Sequence, residues 1–396
     1  MTVVQRATGA LLMAALVGTL TPGVAAGASG RTVYVDDNGT ASASAKGACG
    51  KPNFSRIQAA VDDVSATTIA VCKGTYSEQV KVTRSLSLEG RAGATIQAPA
   101  DLGDSGAIVR FTAAQKSRLS GFVISGAGTS DPDLYSGVDV RDGAEVAITR
   151  NRIRDIRGVA LASTQGNGIY IDGARADITD NGIERFGTHG ILVWSPGGFA
   201  TIKGNTIRGQ VGPGITNGQI GIDIREGGQG NVEDNTIAGN TEGAGVLVDQ
   251  TGAVSIRRNT STGNGLGIVL GDETGDVQVR SNAVRDNTSH GIFLTDAGQN
   301  TVADNAVVNN GGDGIRVETA PSEPNAFRNV IARNRVRNND GAGIYIGRGV
   351  ADNTVEKNRV RDNGATDILD VNGEALVNAY ADNTCETSNP DGLCES

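Results

Sequence analysis

Apolar residues along this chain come in short runs, "GIVL" at 267–270 or "VQV" at 277–279, each cut off by Gly, Asn or Asp. Aliphatic side chains alternate within a run, the period of a strand with one buried face. The punctuation between the runs is itself periodic. "EDNTIAGNTEGAGVLV", "RRNTSTGNGLGIVL", "RSNAVRDNTSHGIFL" and "ADNAVVNNGGDGIRV" are variants of one phrase. Its first asparagine falls at Asn151, Asn181, Asn205, Asn235, Asn259, Asn282, Asn305, Asn334 and Asn358, at intervals of about 24 or 30 residues. A second asparagine follows in most units, at Asn240, Asn264, Asn287, Asn310, Asn339 and Asn363. Short strands repeated at such a period predict an all-β solenoid whose coils stack by parallel pairing.

The asparagines have a structural role in this scheme. A turn residue covered by the next coil needs partners on both sides. An amide side chain both donates and accepts, and Asn also tolerates a left-handed turn. Stacked columns are expected, with Asn358 near the end of the first. The phrase Asn-x-Ile/Val-x-x-Asn followed by Gly-Ile/Val resembles the repeats of right-handed parallel β-helix proteins of the pectate-lyase-like superfamily, over about 119–369. The opening "FSRIQAAVDDVSATTIAVCKGTYSEQVKV" and the closing "NTCETSNPDGLC" are similar to the ends of secreted members. The resemblance implies a right-handed parallel β-helix solenoid of roughly 11–12 coils, with an N-terminal capping helix and a disulfide-closed C-terminal tail. The expected divisions are a signal peptide over 1–28, a cap and first coil over 29–85, the β-helix over 86–376 and a tail over 377–396.

Composition adds location and excludes some partners. Arg6, the apolar "ATGALLMAALVGTL" and the small residues of "VAAGASG" form the pattern of an export signal. The apolar run is short for a membrane span, so a secreted, extracellular monomer without membrane insertion is expected. In an exported chain, Cys49 with Cys72 and Cys385 with Cys394 pair by proximity as local disulfides. A net charge of −9 argues against a nucleic-acid partner.

Aligning the coils on the glycine before each Gly-Ile strand locates the candidate chemistry. Positions one and three after that glycine are aliphatic throughout, as in Ile191 and Val193, and form the inner face. Positions two and four face outward. There the earlier coils carry Asp139, Arg141, Tyr170, Asp172, Trp194, Asp223, Arg225 and Asp249, with His189 just before Gly190. Longer connections, "GAGTSDPDLYS", "GVALASTQGN" and "VGPGITNGQI", precede Gly137, Gly168 and Gly221 but not Gly190, which predicts a groove over the Gly190 coil.

The mix suits a sugar polymer. Trp194 and Tyr170 offer stacking faces, while Arg141, Asp139 and Asp249 bind hydroxyls or uronate carboxylates. His189, Asp223, Arg225 and Asp172 are the catalytic candidates, with His189 as base. The competing expectations are ordinary surface ion pairs, Arg141 over Asp172 and Arg225 beside Asp249, a turn role for His189 as for His290, and burial of Trp194 under a loop. The resemblance admits calcium on Asp142 and Asp172, as in pectate lyases, and disfavours copper because soft ligands are scarce. No metal site is assigned. The functional expectation is a polysaccharide lyase or C5-epimerase on a uronate polymer, the alternative a non-catalytic polysaccharide-binding module. The Asp-Pro-His-Asp motif of alginate epimerases is absent, its place taken by "GVDVRDG" and "GIDIREG".

Overall fold

Three long parallel sheets make up the computed structural model. It describes residues 30–39, 47–103, 106–127, 134–157, 166–210, 218–319, 326–372 and 377–395. The export-signal reading therefore lies outside the described residues. So do most of the connections expected to wall a groove and most of the insertion that follows Glu318.

The sheets have 14, 12 and 13 strands, and the chain visits them in that order in each coil. They are called here sheets one, two and three. Every strand pairs in parallel with its counterpart one coil away. The register is that of the sequence alignment: Ile169 pairs with Ile191, Ile191 with Ile222 and Ile222 with Val246. The inner-face positions are completely buried, as at Ile191, Val193, Ile222 and Ile224. The alignment glycines also have a steric reason. A Cβ on Gly190 would lie 2.5 Å from the carbonyl oxygen of Gly221, so the coils can close only over glycine.

The asparagines form continuous ladders. Along the turn from sheet one to sheet two, the backbone N–H and Nδ2 of each Asn donate to Oδ1 of the next, Asn151 to Asn181 at 2.9 and 3.1 Å. Nδ2 also donates to a backbone carbonyl of the preceding coil, Ile148 in the case of Asn181. The first ladder runs one rung beyond Asn358, which donates to Asn383 in turn. One expectation needs correcting. The left-handed residue is not the ladder Asn but the one before it: Arg150, Asp180, Asp234, Arg258 and Asp304 all have φ between 55° and 60°. The ladder amide satisfies the groups that this tight turn exposes. A third ladder, Asn300 to Asn329 to Asn353 to Asn378, lies where sheet three turns back to sheet one.

The ends are closed differently. The helix Ile57–Asp62 buries Ile57, Ala60 and Val61 against the first coil. It stops short of Val64, which is 85% exposed rather than part of the packed face. The Glu78 carboxylate accepts the N–H groups of Ile57 and Gln58 and so caps the helix from the next coil. Cys49 is bonded to Cys72, and Cys385 to Cys394.

Candidate functional site

The outer face of sheet three carries two polar clusters that strand alternation places in one column. Asp139 and Asp223 both occupy the second position after an alignment glycine, and both side chains are completely buried. They are three coils apart, about 14 Å at the strand spacing. An outward-facing carboxylate on a sheet is ordinarily wet. These two are covered by the long side chains of their neighbours.

Around Asp139 the cover is two arginines. Arg141, two residues on and so on the same face, donates Nε–H to Oδ1 at 2.8 Å. Arg110, one coil earlier, donates to Oδ2 at 2.8 Å. Burial pushes the Asp139 carboxyl up, while Arg141 and Arg110 pull it down. Arg141 also lies 5.4 Å from the Tyr170 ring centroid, and Tyr170 meets Tyr135 edge-on at 5.1 Å. Burial raises both phenols above the ordinary tyrosine value.

Around Asp223 the cover is His189 and Arg225. His189 belongs to the preceding strand, where it pairs with Ile220, and is 7% exposed. Its Nε2 is 3.1 Å from Asp223 Oδ2, and Arg225 reaches the same oxygen at 2.6 Å. The Arg225 contact is close but poorly aligned for hydrogen bonding, so it is an ion pair. Both Asp223 oxygens and Arg225 Nε are buried without any hydrogen-bond partner. Orphaned buried polar atoms cost stability, and folded proteins keep few of them.

The other nitrogen of His189 fixes the proton. Asn167 Nδ2 donates to the Tyr135 carbonyl at 3.1 Å, which turns Oδ1 toward His189 Nδ1 at 2.8 Å. Against an oxygen acceptor, Nδ1 must donate. Nε2 then faces the Asp223 carboxylate at 3.1 Å, in ion-pairing reach but not aligned as a hydrogen bond. Asn167, His189, Asp223 and Arg225 thus form one connected cluster on the outer face of sheet three.

The remaining candidates are distributed around these two clusters. Trp194 is partly exposed and pairs in register with Asp172 on one side and Arg225 on the other. Asp172 accepts a hydrogen bond from Ser195 at 2.6 Å. Asp249 pairs with Arg225 in register and is half-buried. Burial raises its carboxyl, Arg225 lowers it, and Asp272 and Asp223 raise it further. The surface pairs expected of Arg141 with Asp172 and of Arg225 with Asp249 are not the closest contacts. Each arginine instead binds the aspartate two residues earlier on its own strand. His290 is not merely a turn residue: its Nδ1 accepts the Asp313 N–H at 2.9 Å, and Arg316 ties Asp313 to Glu318. Asp142 and Asp172 do not form a three-ligand cluster. Among the described residues the one close group of ligand types is Asp36 with Cys49 and Cys72, whose sulfurs are consumed in a disulfide.

The alignment missed Arg110, Tyr135, Asn167 and Ser195. Arg110 was findable, since "AIVRFT" at 107–112 extends the strand column by one coil. Tyr135, Asn167 and Ser195 lie at the strand ends, where period-two alternation makes no prediction.

The comparisons with known proteins agree with this geometry at the level of fold. The family model for the right handed beta helix region matches residues 167–329 and 276–389. Search of curated protein sequences finds no significant match. Among solved structures, the periplasmic alginate epimerase AlgG aligns at 16% identity over 81% of this chain and 76% of its own, with a TM-score of 0.58. The Dettilon tailspike protein aligns at 16% identity over 79% of this chain and 62% of its own, TM-score 0.60. The Azotobacter vinelandii mannuronan C-5 epimerase AlgE6 A-module aligns at 16% identity over 86% and 94%, TM-score 0.52. With more than half of its length under the family model, and with ladders and sheets of this form, the chain belongs to the right-handed parallel β-helix proteins of the pectate-lyase-like type.

Proposed function

We propose that this protein is an exported carbohydrate-active enzyme that works on a uronate-containing polysaccharide by C5-proton chemistry, as a lyase or a C5-epimerase. The observation that carries the reading is the Asp223 cluster: a fully buried carboxylate with both oxygens lacking hydrogen-bond partners, held between His189 and Arg225 on the outer face of sheet three. Stabilising such an arrangement costs the fold, and it supplies what removal or return of a C5 proton needs. His189 takes the C5 proton, or returns it, Asp223 beside its Nε2 stabilises the imidazolium that forms, and the partly exposed Arg225 guanidinium stabilises negative charge on the substrate carboxylate. Partly exposed Trp194 serves as a stacking surface between the two clusters, whereas Tyr170, expected to do the same, is 6% exposed and packs against Arg141 and Tyr135. Arg110 with Arg141 holds a neighbouring sugar acid about 14 Å along the axis. Both disulfides support a periplasmic or extracellular setting. AlgG and the AlgE6 A-module, alike in fold, are epimerases of alginate and mannuronan by their names, which favours the same substrate class here.

The test is a polyuronate panel, followed by absorbance of unsaturated products and by uptake of solvent deuterium at C5. Wild-type turnover is expected, with His189→Gln and Asp223→Asn each reducing it by roughly 100-fold or more. Exposed Arg285→Gln is the control and should change nothing. If the wild type binds polyuronate without either signal, the protein is a binding module. If both site variants match Arg285→Gln in turnover, the reaction lies elsewhere.

A further inference from the structure

Sheet two carries a different feature at its C-terminal end. The last two strands of this sheet, Arg335–Arg337 and Arg359–Arg361, read Arg-Val-Arg twice. They pair in register, Arg335 beside Arg359 and Arg337 beside Arg361. All four arginines are exposed, while Val336 and Val360 point inward. The result is a two-by-two grid of guanidinium groups rooted about 4.8 Å apart across the strands and about 6.8 Å along them.

Like charges directly opposite each other destabilise a sheet. Elsewhere on sheet two several arginines have carboxylates to offset this: Arg152 meets Glu184 at 2.6 Å, Arg185 meets Asp155 at 2.6 Å and Arg285 meets Asp286 at 2.7 Å, while Arg208 stands alone with no arginine beside it in register. In the grid, Arg335, Arg337 and Arg359 have no carboxylate within ion-pairing reach among the described residues. Arg361 has only Asp362 at 3.7 Å, and both side chains are about half exposed, so that contact is worth little. The neighbours in register toward the N-terminus are Ala306 and Val308, and Thr384 bridges to Arg359 on the other side. Nothing bulky or acidic stands over the grid on those strands. A chain of net charge −9 thus keeps four concentrated positive charges unneutralised.

We propose that this grid is an anchoring face for a linear anionic polysaccharide, separate from the Asp223 cluster and on another sheet. Guanidinium groups bind carboxylates or sulfates through paired donors, and a row of them at a few ångströms' spacing fits a chain of repeated acid groups. Nucleic acid is the poorer fit. The grid strands and their in-register neighbours hold no aromatic side chain on which a base can stack, and the acidic balance of the whole chain repels a long polyanion of high charge density. The inference shares with the proposed function an acidic polysaccharide ligand, but it does not depend on chemistry at His189.

Binding is measured without turnover, so a catalytically silent protein does not affect the outcome. The probes are polygalacturonate, a neutral glucan and duplex DNA, each titrated at low and high salt. Polygalacturonate binding is expected to weaken with salt and to exceed binding of the other two. The variant R335Q/R337Q/R359Q/R361Q should lose at least tenfold in affinity and most of the salt dependence. The milder pair R335Q/R359Q should lose at least threefold, and R335K/R359K should recover most of it. The glutamine variants should melt at or above the wild-type temperature, since repulsion is removed, and R335K/R359K should melt close to it. The proposal is overturned if the wild type ignores polygalacturonate, if it binds DNA as tightly, or if well-folded glutamine variants bind like the wild type.

Discussion

Asn259 serves three coils with one side chain. Its Oδ1 accepts from Asn235, its Nδ2 donates to the Val232 carbonyl at 2.8 Å, and its N–H donates to Asn282. Asn259→Ala strands several of these groups in a dry interior and should cost about 1–3 kcal/mol, measured by chemical denaturation. Because Asn383 continues the ladder, Asn358→Ala should cost about as much rather than less. A residue of the opposite kind is Asp249. Its carboxyl is raised by burial, and by Asp272 and Asp223 against the pull of Arg225, so folding favours its protonated form. A group whose folded value lies above its unfolded one costs stability at neutral pH and returns it as pH falls through the raised value. Asp249→Asn should therefore raise the melting temperature at pH 7 and flatten its rise on acidification. Asp155 behaves inversely. Arg185 holds it below the usual carboxylate range, so its contribution is present above about pH 4 and is lost as pH falls through the lowered value.

Elements show what could be read from the chain alone and what could not. The strands of sheet three were legible because buried aliphatics at Ile191 and Val193 alternate with outward groups, and a parallel register preserves that alternation from coil to coil. The first ladder was legible because one amide recurs at one turn. The third was hidden in plain repetition: Asn300, Asn329, Asn353 and Asn378 each precede a first-ladder residue by the same short strand of sheet one. The pairing inside the site was not legible. Column order suggests cross-coil partners, but Arg141 and Arg225 are long enough to fold back on Asp139 and Asp223 of their own strands. The contact of Asn167 with His189 depends on how a strand end bends, which periodicity does not encode. The cap is a further element with its own consequence. Its six-residue helix is too short to persist alone and depends on the first coils, on Glu78 and on the nearby Cys49–Cys72 bond. Replacing both of those cysteines by serine should speed hydrogen exchange over 57–62 while leaving the ladder amides of 259–310 protected.

For the whole molecule, the ladders give the stack a direction. Every rung of the first ladder passes its donors forward, from Asn151 to Asn383, and the Oδ1 of Asn151 receives the N–H of Phe122 at the other end. At Asn383 the succession stops. Its Nδ2 keeps the backward bond that every rung makes, here to the Val355 carbonyl, but the next acceptor is the Leu393 carbonyl of the tail instead of another Asn, and the Glu395 N–H returns to the Asn383 carbonyl. The tail is thus a terminator as well as an ornament of the last coil. A solenoid whose final rung were left bare would present an open strand edge with a preset register, the same surface that each coil offers the next. Because the helix Ile57–Asp62 covers the opposite end, two such ends could pair only with each other. Tethered by Cys385–Cys394, the tail lays Ser388 and Asn389 along sheet three and bridges Thr384 to Glu395, and so guards the last coil against that self-pairing.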